Sequence, residues 1–140
     1  MKRSASAVWS GGLKDGKGTV STESGVLSGV PYNFSMRFEN AKGTNPEELI
    51  AAAHAACFSM ALSMILGEAG MTAENIATKA TVSLDQTEGG FTVTSSHLQT
   101  TVKIPNADRA AFQKAVEAAK SGCPISKLLN ATITMDAKLA

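Results

Sequence analysis

TNPEELIAAAHAACFSMALSMILG, residues 44–67, is the stretch whose reading decides the fold. Asn45 is a suitable N-cap, Pro46 fits the first helical position, and Glu47 and Glu48 suit the positive end of a helix dipole. A helix from Pro46 to about Gly67 is predicted. From Leu49 to Leu66 it carries no charged residue, counting His54 as neutral, and it is apolar around nearly its whole circumference, so full burial is expected. The stretch is long enough to span a bilayer. It is alanine-rich, however, and holds His54, Ser59 and Ser63, with no second span and no aromatic belt. A core helix wrapped by sheet is the better reading.

Outward from this helix the patterns are those of strands. Before it, Ala5–Trp9, Gly18–Thr22 and Val26–Leu27 are short strand candidates around glycine turns. Pro31–Phe38 alternates, with Tyr32, Phe34, Met36 and Phe38 on one face and Arg37 on the other. After it, Ile76–Asp85 and Phe91–Ile104 alternate. The apolar phase of the second shifts from odd (Phe91, Val93) to even (Leu98, Val102), which predicts a bulge near Ser95-Ser96. Thr87-Glu88-Gly89-Gly90 makes the hairpin turn between them. Asp108–Lys120 is an amphipathic helix with Ala111, Phe112, Ala115, Val116 and Ala119 inward. Gly122-Cys123-Pro124 ends it and starts a short helix through Leu129, and Ala131–Leu139 is a last strand. The class is α+β, an antiparallel sheet around a long buried central helix, as a single domain over residues 1–140.

The chain has 140 residues, 44% of them hydrophobic, which suits one globular domain rather than two. A formal net charge of +1 gives no electrostatic case for nucleic acid or an anionic membrane as partner. No apolar stretch follows Lys2 and Arg3, so no secretory signal is read and a cytoplasmic location is expected. Thiols are kept reduced there, so the two cysteines are packing residues, metal ligands or redox groups. No CxxC or HxxxH spacing joins Cys57, Cys123, His54 and His97, and no metal site is expected.

Each residue that could carry chemistry also has a plainer reading. Cys57, in the middle of the helix, is either a small inert core residue or a thiol activated by a nearby cation or donor. Cys123 is either a turn residue or a thiol at the positive end of the short helix after it. Two cysteines in a reduced compartment can form one reversible disulfide, provided their Cα atoms come within about 7 Å. Arg37 is either solvated or the cation beside a thiol. Glu47 could be only a helix-start residue, with the helix dipole as its whole reason. His54, one turn before Cys57, is a satisfied core histidine or half of a Cys–His couple of the hydrolase type.

The segment from Thr44 to Phe58 resembles the central helix of the OsmC/Ohr family, which joins osmotically inducible protein C with the organic hydroperoxide resistance proteins. Gly122-Cys123-Pro124-Ile125-Ser126-Lys127 resembles its second motif, and Arg37-Phe38-Glu39 ahead of Gly43-Thr44-Asn45-Pro46 also matches. The resemblance covers essentially the whole chain from Gly16 onward. His54, together with Arg37, points to the OsmC branch rather than the Ohr branch. The resemblance implies an intertwined homodimer with two sites at the interface. It implies a cysteine-based peroxidase for organic hydroperoxides in oxidative and osmotic stress defence, with Cys57 as the peroxidatic thiol, Cys123 as the resolving thiol, and Arg37 and Glu47 as the activating pair. It suggests a lipoyl-type dithiol as reductant, and it calls for no metal, flavin or haem.

Glu47 and Cys57 are ten residues apart, roughly 15 Å of rise on one straight helix. Their side chains cannot meet within one subunit unless the helix breaks. Glu47 is therefore either irrelevant to the sulfur or belongs to the site of the other chain, across antiparallel central helices. Two rivals differ in kind. A cysteine hydrolase using Cys57 and His54 would need no second cysteine. A non-enzymatic binder with the same core would have unreactive thiols.

Overall fold

The computed structural model describes residues 1–140, which divide into two compact units, Met1–Leu49 and Ile50–Ala140. In the first unit, β1 (Ala5–Ser10), β2 (Lys17–Thr22) and β3 (Val30–Tyr32) form an antiparallel sheet in that order. Val26–Leu27 falls in the bend between β2 and β3 rather than in a strand. Trp9, Gly18 and Tyr32 lie abreast across the three strands. A Cβ on Gly18 would come within 2.6 Å of both rings, so glycine there is what lets the Trp9 and Tyr32 rings meet at 5.5 Å over the sheet.

The strand expected over Pro31–Phe38 is cut short. Asn33 caps a five-residue helix, α1 (Phe34–Phe38), its side chain accepting from the Met36 N–H at 3.0 Å. Phe34 and Phe38 share a face, as the alternation suggested, because residues four apart align in a strand and in a helix alike. Their rings are 5.0 Å apart. Arg37 does not point away from them: its guanidinium lies 5.2 Å from the centre of the Phe38 ring.

Helix α2 spans Pro46–Glu68. Asn45 caps it, its Oδ1 accepting from the Glu48 N–H at 2.8 Å. The second unit contains β4 (Asn75–Thr87), β5 (Gly90–Lys103), α3 (Arg109–Gly122), α4 (Pro124–Leu128) and β6 (Thr132–Leu139). β4 and β5 form an antiparallel hairpin closed by Glu88-Gly89. Ser83 faces Ser95 while Leu84 faces Val93, so the bulged residue is Thr94, next to the predicted place. β6 joins β5 parallel, and the sheet is mixed rather than wholly antiparallel. The α3–α4 crossover accounts for this, since a parallel neighbour needs a long return connection.

The core of this unit is built from Phe58, Leu62 and Leu66 of α2, Leu98 and Val102 of β5, and Phe112, Ala115, Val116 and Ala119 of α3. Truncating a fully buried ring such as Phe58 to alanine costs about 3–5 kcal/mol. Full burial of α2 is not observed. His54, Phe58, Leu62 and Leu66, spaced by four, form one buried stripe, whereas Met60 is 77% and Met64 61% exposed. By length and composition α2 could cross a membrane. Its buried stripe is instead part of the second unit's core.

Candidate active site

Two constellations carry the chemistry-bearing side chains. The first is built where α1 meets the start of α2. The loop between them bends at Gly43, whose φ of +155° disfavours other residues and whose missing Cβ would lie 2.5 Å from the Met36 sulfur. Asn45 Nδ2 donates to the Met36 carbonyl at 3.3 Å, tying the cap of α2 to α1. The result is a forked contact. Arg37 Nη2 donates to Glu47 Oε1 at 2.7 Å, and Nε lies 3.2 Å from both carboxylate oxygens. Glu47 is buried, only 9% exposed, whereas the Arg37 side chain is exposed at 37%. Such a planar, charge-assisted fork fixes the guanidinium firmly. It also borders a cleft of about 190 Å³ lined by Trp9, Leu13, Tyr32, Asn33, Phe34, Arg37 and Phe38. Tyr32, Phe34 and Phe38 of this lining are residues that the alternation of 31–38 placed on one face. Trp9 and Leu13 come from a distant segment, which no local pattern announces.

The second constellation lies in the Ile50–Ala140 unit. Cys57 and Cys123 are both free thiols, and the Cys123 thiol donates to the Cys57 sulfur at 2.8 Å. That is longer than the ~2.05 Å of a disulfide and needs only a small approach to become one. Cys123 ends α3 and caps α4 because Pro124 bars the residue before it from helical geometry; its φ and ψ are −56° and 128°. Cys123 is fully buried and Cys57 half-buried.

Burial pushes the Cys57 thiol up from its ordinary value, and the neighbouring Cys123 thiol adds to that. A backbone hydrogen bond from Ile125 acts in the opposite direction. None of these influences is a cation, so within its own unit Cys57 is held as a thiol. A nucleophilic cysteine needs the thiolate, which a positive group brought to the sulfur would favour.

His54 occupies the buried stripe one turn before Cys57. Its Nδ1 lies 2.7 Å from Ser96 Oγ and its Nε2 2.7 Å from Ser126 Oγ. Both ring nitrogens are thus engaged by hydroxyls, and burial keeps the ring's pKa below its ordinary value. The Cys57–His54 couple of a hydrolase is not formed. The sequence reading missed Ser96 and Ser126 as its partners, 42 and 72 residues away in the chain.

The four expected site residues therefore fall into Arg37 with Glu47 and Cys57 with Cys123. Glu47 and Cys57 are ten residues apart along α2.

The profile of the family described as OsmC-like protein matches residues 39–138. The chain is 56% identical over 139 residues to Peroxiredoxin OsmC of Escherichia coli K12, covering 99% of this chain and 97% of that one. It is 31% identical over 128 residues to the organic hydroperoxide resistance protein OhrB of Bacillus subtilis 168, covering 87% and 88% respectively. The crystal structure of OhrB from Bacillus subtilis superposes with a TM-score of 0.68 at 29% identity, over 98% of each chain.

Proposed function

The chain belongs to the OsmC-like protein family, and on that basis we propose that it is a thiol-dependent peroxidase that reduces organic hydroperoxides to alcohols in oxidative and osmotic stress defence. The observation that carries this reading is the approach of two free thiols to 2.8 Å, one of them half-exposed to a reactant.

The working unit in this reading is a homodimer of OsmC-like domains, each spanning residues 1–140. The exposed apolar side of α2, with Met60 and Met64, meets its counterpart in a second copy. Antiparallel α2 helices bring the Arg37–Glu47 fork of one chain to the Cys57 of the other. Each site is then composite, which supplies the cation that Cys57 lacks in its own unit.

Arg37, oriented by Glu47, stabilises the Cys57 thiolate. The thiolate attacks the terminal peroxide oxygen. The O–O bond breaks, the alkoxide leaves and takes a proton to become the alcohol, and Cys57 is left as a sulfenic acid. The Cys123 sulfur then attacks the Cys57 sulfur, the S–O bond breaks, and water departs as the disulfide forms. An external dithiol, of the lipoyl type by family likeness, reduces it by exchange. The cleft walled by Trp9, Leu13, Phe34 and Phe38 favours alkyl and aryl peroxides over hydrogen peroxide. No metal, flavin or haem takes part. A cytoplasmic site of action suits a cycle that starts from two reduced thiols.

Turnover of cumene hydroperoxide with excess dithiol, for the wild type and Cys57→Ser in parallel, tests the reading. Activity in the wild type and none in Cys57→Ser is expected. A wild type inert with both dihydrolipoamide and dithiothreitol would sink it. The composite site is tested by mixed dimers of Cys57→Ser and Glu47→Ala chains. One of the two sites should recover; none recovering in verified mixed dimers rules sharing out.

A further inference from the structure

The geometry points to His54 as a positioning residue for the resolving step, acting through Ser126 to hold Cys123 against Cys57. The inference rests on the peroxidase reading for its catalytic meaning, but its geometric content is independent of peroxide.

His54 precedes Cys57 by three residues on α2, and Ser126 follows Cys123 by three residues on α4. The two helices are thus joined by two successive rungs running in opposite chain directions. One rung is the thiol pair at 2.8 Å, and the other is His54 Nε2 with Ser126 Oγ at 2.7 Å. The far side of the imidazole is anchored by Ser96 Oγ of β5, at 2.7 Å and fully buried. The ring therefore ties the sheet to α4 across α2.

α4 needs such an anchor. It is five residues long, has no side-chain cap, and contributes no buried residue of its own. A single turn of helix has little intrinsic stability. Cys123 sits at its first corner, so any drift of α4 moves the sulfur directly. The resolving step is sensitive to that drift. Cys57 sulfenic acid must be attacked by the Cys123 sulfur along the S–O axis, forming S–S as S–O breaks and releasing water. If Cys123 stands off, a second hydroperoxide reaches the sulfenic acid first and oxidises it to sulfinic acid, which the dithiol does not reverse. His54 and Ser126 touch neither reacting atom; they set how quickly the second sulfur arrives.

The test uses full-length protein with Ser126→Ala, His54→Leu and His54→Gln. Ser126→Ala removes one hydroxyl and is the least disruptive. His54→Gln keeps a donor and an acceptor at the same place. Reduced protein is mixed with cumene hydroperoxide, quenched by alkylation, and weighed as disulfide, sulfinic acid or free thiol. For Ser126→Ala and His54→Leu the first loss of Cys57 thiol should keep the wild-type rate, while disulfide formation slows about tenfold or more and sulfinic acid accumulates. His54→Gln should restore most of the disulfide yield. A purely structural role would lower the melting temperature and leave this partition unchanged, and wild-type partition in both Ser126→Ala and His54→Leu overturns the inference. Diamide, which adds to one thiol and is displaced by the other, reads the same approach without peroxide. Normal wild-type closure by diamide with no reaction toward hydroperoxide would count against the peroxidase reading alone. Equal diamide closure in wild type and variants would count against the role of His54.

Discussion

Arg37 holds Glu47 by a fork in which Nη2 approaches Oε1 to 2.7 Å, and Glu47 is buried while the Arg37 side chain is exposed. The two partners should therefore not be equivalent on removal. Arg37→Met strands a buried carboxylate and should cost about 1–2 kcal/mol of stability, discounted for the exposure of the guanidinium. Glu47→Gln keeps an acceptor for Arg37 and should cost less. Both should lower peroxidase kcat/KM by about a hundredfold. Urea denaturation beside steady-state kinetics separates the two effects, and equal stability losses in the two variants would contradict the asymmetry.

Gly43→Ala should destabilise the protein by about 1–3 kcal/mol, for two separable reasons. One is its φ of +155°, and the other is the 2.5 Å approach of the new Cβ to the Met36 sulfur. Adding Met36→Ala removes only the second. The double variant should thus regain part of what Gly43→Ala lost after the cost of Met36→Ala alone is subtracted. A double-mutant cycle with no coupling would mean that the clash relaxes without cost.

Met60→Asp and Met64→Asp place charge on the exposed side of α2 and leave the buried stripe of His54, Phe58, Leu62 and Leu66 untouched. Sedimentation should report half the wild-type mass, and peroxidase activity should disappear with it. A variant that remains dimeric would move the interface elsewhere.

His54 gives the stability curve a defined acid limb. Its folded-state pKa is depressed by burial, against about 6.5 in the unfolded chain. As pH falls, the unfolded state takes up this proton first, so between the two values it binds more protons and stability rises with pH. The contribution is complete above about pH 6.5 and is lost as pH falls toward the folded value. His54→Gln should flatten that limb in urea titrations, and parallel curves for the two proteins would show that the ring does not titrate differently on folding.

Much of this was legible in the sequence because its signals are local. Asn45-Pro46-Glu47-Glu48 announces the start of α2, Glu88-Gly89 the hairpin, and Gly122-Cys123-Pro124 the break between α3 and α4. Helix α1 escaped because five residues are too few to display a 3.6-residue period, and the match of Phe34 with Phe38 satisfies strand and helix equally. The parallel placement of β6 depends on which side of β5 it joins, which an alternating pattern does not encode. The apolar circumference of α2 predicts full burial, but in the single chain only the stripe of His54, Phe58, Leu62 and Leu66 is buried. Ser96 and Ser126 were out of reach because nothing local distinguishes a serine that will face a buried imidazole from one that faces water.

The thiol contact also joins residues 66 positions apart in the chain. A disulfide there would enclose the whole β4–β5 hairpin and α3, and leave β6 outside the ring. Closing a loop of that length removes enough freedom from the unfolded chain to raise stability by about 4 kcal/mol. Each catalytic turn would then carry the protein between a looser and a tighter version of itself. Resistance to heat or proteolysis would serve as a gauge of how oxidised the pool of molecules is, and a starved reductant supply would leave behind the sturdier form.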